Sequence, residues 1–218
     1  MSQPQPDPAN ELKRMTSSIT TARIETLADG VFAIVMTVLV FDLRVPVQEQ
    51  VDQVGLLLAL STLAPNFISY VITFVILGVF WVGHHNQFFY IRRADRTLLW
   101  INILFMGFVA LLPFSAGLFS QYGQDRVSII VYNINLICAG LVLFLHWWYA
   151  TRDSHLLSHP IEEHARRIVY RRILTPPCFY FLAILVSLFH VEFSIIIDVL
   201  VPIIYILPPR MDRIFRRG

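Results

Sequence analysis

The stretch from Arg23 to Leu43 reads RIETLADGVFAIVMTVLVFDL, and its reading decides the fold. From Val31 to Phe41 no residue carries a charge and Thr37 is the single polar side chain. The apolar segment as a whole, about Ile24 to Leu43, has the ~20 residues that carry a helix across a ~30 Å hydrocarbon core. Buried strands of soluble proteins stop after ~4–8 apolar residues. This segment is a helix made for lipid.

Outward from it, the same pattern recurs with polar punctuation. Further spans cover about Pro65 to Tyr90, Leu98 to Phe119, Val127 to Tyr149, Ile173 to Phe189 and Phe193 to Leu207. Between them lie a polar stretch, Val45 to Val54, and a short apolar piece, Leu56 to Leu63, suited to the membrane interface. A short turn follows at Gln121 to Arg126, then a hydrophilic segment at Thr151 to Arg172 and a tight turn at His190 to Glu192. Over all 218 residues, 56% are hydrophobic and 15% charged, with a mean hydropathy of +0.62. Soluble domains carry about 25% charged residues, so a water-facing surface is ruled out. The expected fold class is all-α, a polytopic membrane protein with six transmembrane helices in one domain spanning 19–218. Residues 1–18, with Pro4, Pro6 and Pro8 near their start, read as a disordered N-terminus. No short apolar core with a small-residue cleavage site precedes the first span, which is expected to act as its own insertion signal.

The basic residues orient the spans. Lys13, Arg14 and Arg23 precede or open the first. Arg92, Arg93 and Arg96 lie between the second and third, and Arg152, Arg166, Arg167, Arg171 and Arg172 between the fourth and fifth. Arg210, Arg213, Arg216 and Arg217 close the chain. Fifteen of the 17 basic residues thus fall on one side, with Arg44 and Arg126 on the other. Positive loops stay cytoplasmic, so both termini are expected inside. A missed or invented helix would scramble this bias.

No Gly-rich phosphate loop, zinc-finger spacing or nucleophile elbow occurs, which argues against an enzyme and against nucleic-acid binding. Cys138 and Cys178 sit in apolar runs and read as buried, inert thiols. His155, His159, Glu162, Glu163 and His164 suit a solvated linker better than a metal site. Trp147, Trp148 and Tyr149 fit an interfacial aromatic belt.

Ionisable groups in a membrane cost ~2.5–3.5 kcal/mol or more and need a partner or a purpose. Arg23 and Asp29 are six residues apart, so they do not stack as helix neighbours do, and Asp29 calls for a partner on another helix. Trp81, His84, His85, Asn86 and Asn102 are the candidates. Asp198, midway along the last span, is expected to hydrogen-bond to a neighbouring helix.

Arg23-Ile24-Glu25-Thr26-Leu27-Ala28-Asp29 resembles the Arg-x-x-x-Phe-Ser-Asp signature of the transmembrane protein 175 family, the lysosomal-type potassium channels. Val31 to Val38 is similar to that family as well, as are Phe80-Trp81-Val82-Gly83-His84-His85 and Leu99 to Pro113. Leu27 and Ala28 depart from the signature; any role of its Ser hydroxyl does not carry over. The resemblance implies homotetramers of six-helix subunits, the first helix of each lining a central pore in a bacterial inner membrane. It implies an apolar constriction at Ile34, a potassium-linked Thr at Thr37 and a further apolar layer at Phe41, with potassium as the permeant ion and no cofactor. Partners are then copies of the chain itself and membrane lipids.

Helical geometry places these positions together independently. Thr37, Val38 and Phe41, with Leu27, Gly30 and Val45, lie within about 60° of Ile34 around the helix axis. Periodicity alone also permits this stripe to face lipid. Two other readings compete: a proton-coupled secondary transporter using Asp29, Asp198 and the histidines, and a non-conducting scaffold. Against the transporter, the two halves of the chain show no convincing repeat.

Overall fold

The computed structural model describes residues 21–152, 156–159 and 161–206. The expectations for residues 1–18, for His155 and for the four C-terminal arginines fall outside them. Helices dominate the described residues, and an isolated β-bridge pairs Ile91 with Leu157.

Helix α1, Thr21–Val38, buries Ile24, Ala28, Phe32 and Val35, at the i, i+4, i+8, i+11 spacing of one helix face. A 3₁₀ turn, Leu39–Asp42, tightens its end and buries Leu39 as well. Two short helices follow, α2 (Gln48–Val54) and α3 (Leu56–Ser61), joined at Gly55. Gly55 has φ 81°, open to a residue without a Cβ. The polar stretch expected at Val45 to Val54 is therefore partly helical. Helix α4, Ala64–Tyr90, opens with Pro65 in its first turn, where a missing N–H removes no helical bond.

The expected single span from Leu98 to Phe119 is two helices, α5 (Arg96–Ala110) and α6 (Leu112–Gln121). Pro113 cannot donate to the carbonyl of Val109, and its ring crowds that turn, so the ladder breaks at Leu111. Asp95 starts α5 by accepting from the Leu98 amide at 2.8 Å. Helix α7, Arg126–Arg152, has buried residues on nearly every side and forms the middle of the bundle. Helix α8, Glu163–Ser187, begins ten residues before the span expected at Ile173. Its first turns are amphipathic and carry an Arg167–Glu163 pair at 2.6 Å, one turn apart. Pro176 and Pro177 lie inside α8. Helix α9, Val191–Ile206, completes the described chain and contains Pro202.

Among the described residues, five stretches are long and apolar enough to cross a membrane: Thr21–Asp42, Ala64–Tyr90, Arg96–Gln121, Arg126–Arg152 and Glu163–Ser187. Helix α9 is strongly apolar, and its 16 described residues rise about 24 Å. The linker after α7 returns to the end of α4. The amides of Arg92 and Arg93 donate to Leu156 O at 2.9 and 3.2 Å, and the Ser158 amide donates to Tyr90 O at 2.9 Å. Two of the basic clusters therefore share one end of the bundle.

Two further expectations change. Trp147 is 1% exposed and belongs to the core, because α7 is packed on all sides; of the trio, Trp148 is the exposed one. Cys178 is exposed on α8, while Cys138 is half-buried.

Candidate functional site

The rest of the chain covers one face of α1 and leaves the other bare. Leu27, Gly30, Ile34, Thr37, Val38, Phe41 and Val45 are all exposed, with Ile34 at 64% and Phe41 at 75%. The buried stripe from Ile24 to Leu39 packs against α4 and α5 on the opposite side. Burying Ile34 and Phe41 would remove about 1.5–3 kcal/mol of unfavourable water contact each, so in an aqueous setting this stripe asks for a cover. Within the stripe, the Thr37 hydroxyl donates back to its own helix, to Ala33 O at 3.0 Å and Ile34 O at 2.8 Å. A hydroxyl has one proton and two lone pairs. With the proton turned inward, the oxygen is left to present lone pairs outward. Beyond it, the Asp42 carboxylate lies against Gly117 of α6, at 3.2 Å from where a Cβ would stand.

The polar residues of the motif divide into two sets. Trp81 Nε1 donates to Asp29 Oδ1 at 2.8 Å, and the Trp81 ring stacks on His85 with centroids 5.7 Å apart. Asp29, Trp81 and His85 are all exposed in the subunit. His84 and Asn102 do not reach Asp29. They pair with one another, His84 Nε2 to Asn102 Oδ1 at 2.7 Å, both buried, with His84 stacked on Phe105 at 5.6 Å. Phe32 of α1 wedges against both rings, 6.4 Å from His84 and 6.1 Å from Phe105. Arg23 is exposed, and among the described residues it makes no ion pair.

Two residues of this network were missed from the sequence. Gln87 Oε1 meets His146 Nδ1 at 2.7 Å, while Gln87 Nε2 donates to Leu143 O at 3.1 Å. The His146 and His84 rings lie 5.8 Å apart. The available signals were the Gln87 position, three residues after His84 on the same face, and an unexplained His inside the fourth span. Buried hydrogen bonds thus join α4 to α5 and to α7, while α1 is held by the exposed Asp29–Trp81 bond and by the Phe32 ring. Elsewhere, Asn133 Nδ2 of α7 donates to Asp198 Oδ2 of α9 at 3.1 Å. This arrangement holds helices; it offers no nucleophile with a base beside it. Among the described residues no three His, Cys, Asp or Glu side chains gather as a metal site would require.

Comparison with known proteins follows the same lines. The family model described as endosomal/lysosomal potassium channel TMEM175 matches residues 23–113. A potassium channel of Streptomyces collinus is 34% identical over 151 residues, covering 67% of this chain and 72% of that protein. A potassium channel of Chamaesiphon minutus is 31% identical over 178 residues, covering 80% and 88%. The endosomal/lysosomal proton channel TMEM175 of Gallus gallus is 28% identical over 211 residues, 88% of this chain and 42% of that longer one. Among solved structures, a lysosomal potassium-selective channel TMEM175 homolog from Chamaesiphon minutus superposes with a TM-score of 0.78 at 29% identity, over 86% of this chain and 96% of that one.

Proposed function

The chain belongs to the TMEM175 family, and from that premise we propose that it is a potassium-preferring cation channel whose pore is lined by α1. Four copies meet around an axis, each contributing six membrane passes, with both ends on the cytoplasmic side of a bacterial inner membrane. One observation carries the reading: the α1 residues Leu27, Gly30, Ile34, Thr37 and Val38, and Phe41 of the 3₁₀ turn that follows, are left uncovered. In the assembly that face turns to the axis. Ile34 forms the narrowest ring, Thr37 and Val38 the next, and Phe41 the outer layer.

A ring of apolar side chains passes ions when wide enough to hold water and shuts by dewetting when it narrows. A small rotation of α1 switches between these states. Thr37 eases partial dehydration, because its outward lone pairs replace lost water at the ring. Potassium gives up water more readily than sodium, which sets the preference. Asp29–Trp81 joins α1 to α4, and His84–Asn102 locks α4 to α5 as the frame on which α1 turns. Permeation needs no resident cofactor.

Flux from potassium-loaded liposomes tests the proposal. Potassium should run down its gradient, faster than sodium, and Ile34→Asn should raise the leak. A proton-coupled transporter would instead change lumenal pH in fixed ratio to the cation moved. Purified protein that passes no cation at any voltage would end the channel reading.

A further inference from the structure

A groove of about 960 Å³ runs along the outside of the bundle between α4, α7, α8 and the end of α9. That volume is at the upper end of small-molecule sites, and two features give it direction. One end is apolar, walled by Phe74 and Val75 and deepened by Gly78, where an added Cβ would meet nothing within 4 Å. The other end is polar, with Asn86, Tyr90 and Arg172 around it. From Phe74 to Tyr90 the groove follows α4 for about 24 Å. One leaflet, hydrocarbon plus headgroup layer, measures about 20–22 Å. Length and polarity thus match a single phospholipid standing in one leaflet.

The charge matches too. Arg172 is exposed, and its guanidinium makes no ion pair among the described residues. Its carbonyl accepts from Tyr205 Oη at 2.7 Å, which ties α9 to α8 at the mouth of the groove. Arg171 precedes it in the chain, and this is the end of the bundle where the basic residues collect. A free guanidinium at headgroup depth binds phosphate oxygens in a bidentate fork.

We propose that this groove binds an anionic phospholipid, one acyl chain lying along Phe74 to Gly78 and the phosphate against Arg172. A zwitterionic lipid would fill the apolar end and present the same phosphate, but its own ammonium competes for that phosphate and weakens the contact with Arg172. The proposal does not depend on where the pore lies.

Native mass spectrometry of the purified oligomer, titrated with phosphatidylglycerol or phosphatidylcholine, tests it. Phosphatidylglycerol should be retained at the lower concentration. Arg172→Gln should cut that preference about fivefold, whereas Arg172→Lys should keep most of it. Gly78→Phe, which fills the apolar end, should lower retention of both lipids and leave the oligomer intact. Equal retention of the two lipids, unchanged in every variant, would overturn the site. So would loss of the oligomer in Gly78→Phe, since the groove would then be occupied by a second copy of the chain.

Discussion

The indole N–H of Trp81 donates to Asp29 Oδ1 at 2.8 Å and so joins α1 to α4 across 52 residues of chain. A charge-assisted bond of this kind is worth about 1.5–3 kcal/mol when sheltered and less where water competes. Both residues are exposed in the subunit, so the lower end applies. Trp81→Phe and Asp29→Ala should each lower the thermal midpoint of the purified protein. The double variant should cost little more than either alone, leaving a coupling of about 1 kcal/mol. Asp29→Asn keeps an acceptor and should be milder. Strictly additive losses would show that the two side chains act separately.

Asn133 and Asp198 are both fully buried, and each keeps one oxygen without a partner. Asp198→Leu removes the acceptor for Asn133 Nδ2, which retains only Ile129 O at 3.0 Å. Stability should fall by about 1–3 kcal/mol. Asp198→Asn should be tolerated or stabilising, because the new amide can donate to the orphaned Asn133 Oδ1. Thermal unfolding in detergent separates the two; equal damage from both variants would mean that the carboxylate itself is needed.

How far the sequence carried this picture depends on the range of the forces involved. Span existence was legible because burial in lipid is a one-dimensional demand on composition, and the spans starting at Pro65 and Val127 differ from α4 and α7 by only a few residues. Pro113 is a kink or helix-start signal and α6 begins beside it at Leu112, although the hydropathy of the span reads as continuous. The early start of α8 was hidden because its first turns are charged and amphipathic, satisfied by Arg167–Glu163 and not by lipid. The 3.6-residue period groups Leu27, Gly30, Ile34, Thr37 and Val38, all exposed, but it does not extend to Phe41 and Val45, because the helix tightens to a 3₁₀ turn at Leu39 and then ends. Which polar groups meet was not legible. His84 choosing Asn102, and Gln87 reaching His146, depend on the rotation of α4 against α5 and α7, and that comes from packing.

The uncovered face of α1 makes separable predictions about conduction. If the proposed ring at Ile34 sets the barrier, Ile34→Asn should raise basal potassium flux in liposomes about tenfold, equivalent to about 1.4 kcal/mol off the barrier. Phe41→Leu should raise flux less, by removing bulk from the outer layer. Thr37→Val keeps the shape but deletes the oxygen, so total flux should change little while the potassium-over-sodium ratio falls. Thr37→Ser should restore the ratio. Unchanged flux and ratio in all four variants would place this face away from the ion path.

Two glycines of the membrane bundle give a last comparison, because the same substitution should act in opposite ways. A Cβ on Gly140 would stand 2.6 Å from Pro177 Cγ and 3.4 Å from Pro177 Cδ. The proline ring is rigid and sits inside α8, so it cannot turn aside; α7 and α8 must separate instead. Gly140→Ala should therefore destabilise by about 1–3 kcal/mol, the usual cost of overpacking. At Gly78 the added methyl meets nothing within 4 Å. Gly78→Ala should be neutral, or stabilising by up to about 1 kcal/mol from improved helix propensity. Thermal midpoints of the two variants, measured in one detergent at one protein concentration, decide the matter. A Gly140→Ala protein as stable as the parent would mean that α7 and α8 are not held at this distance.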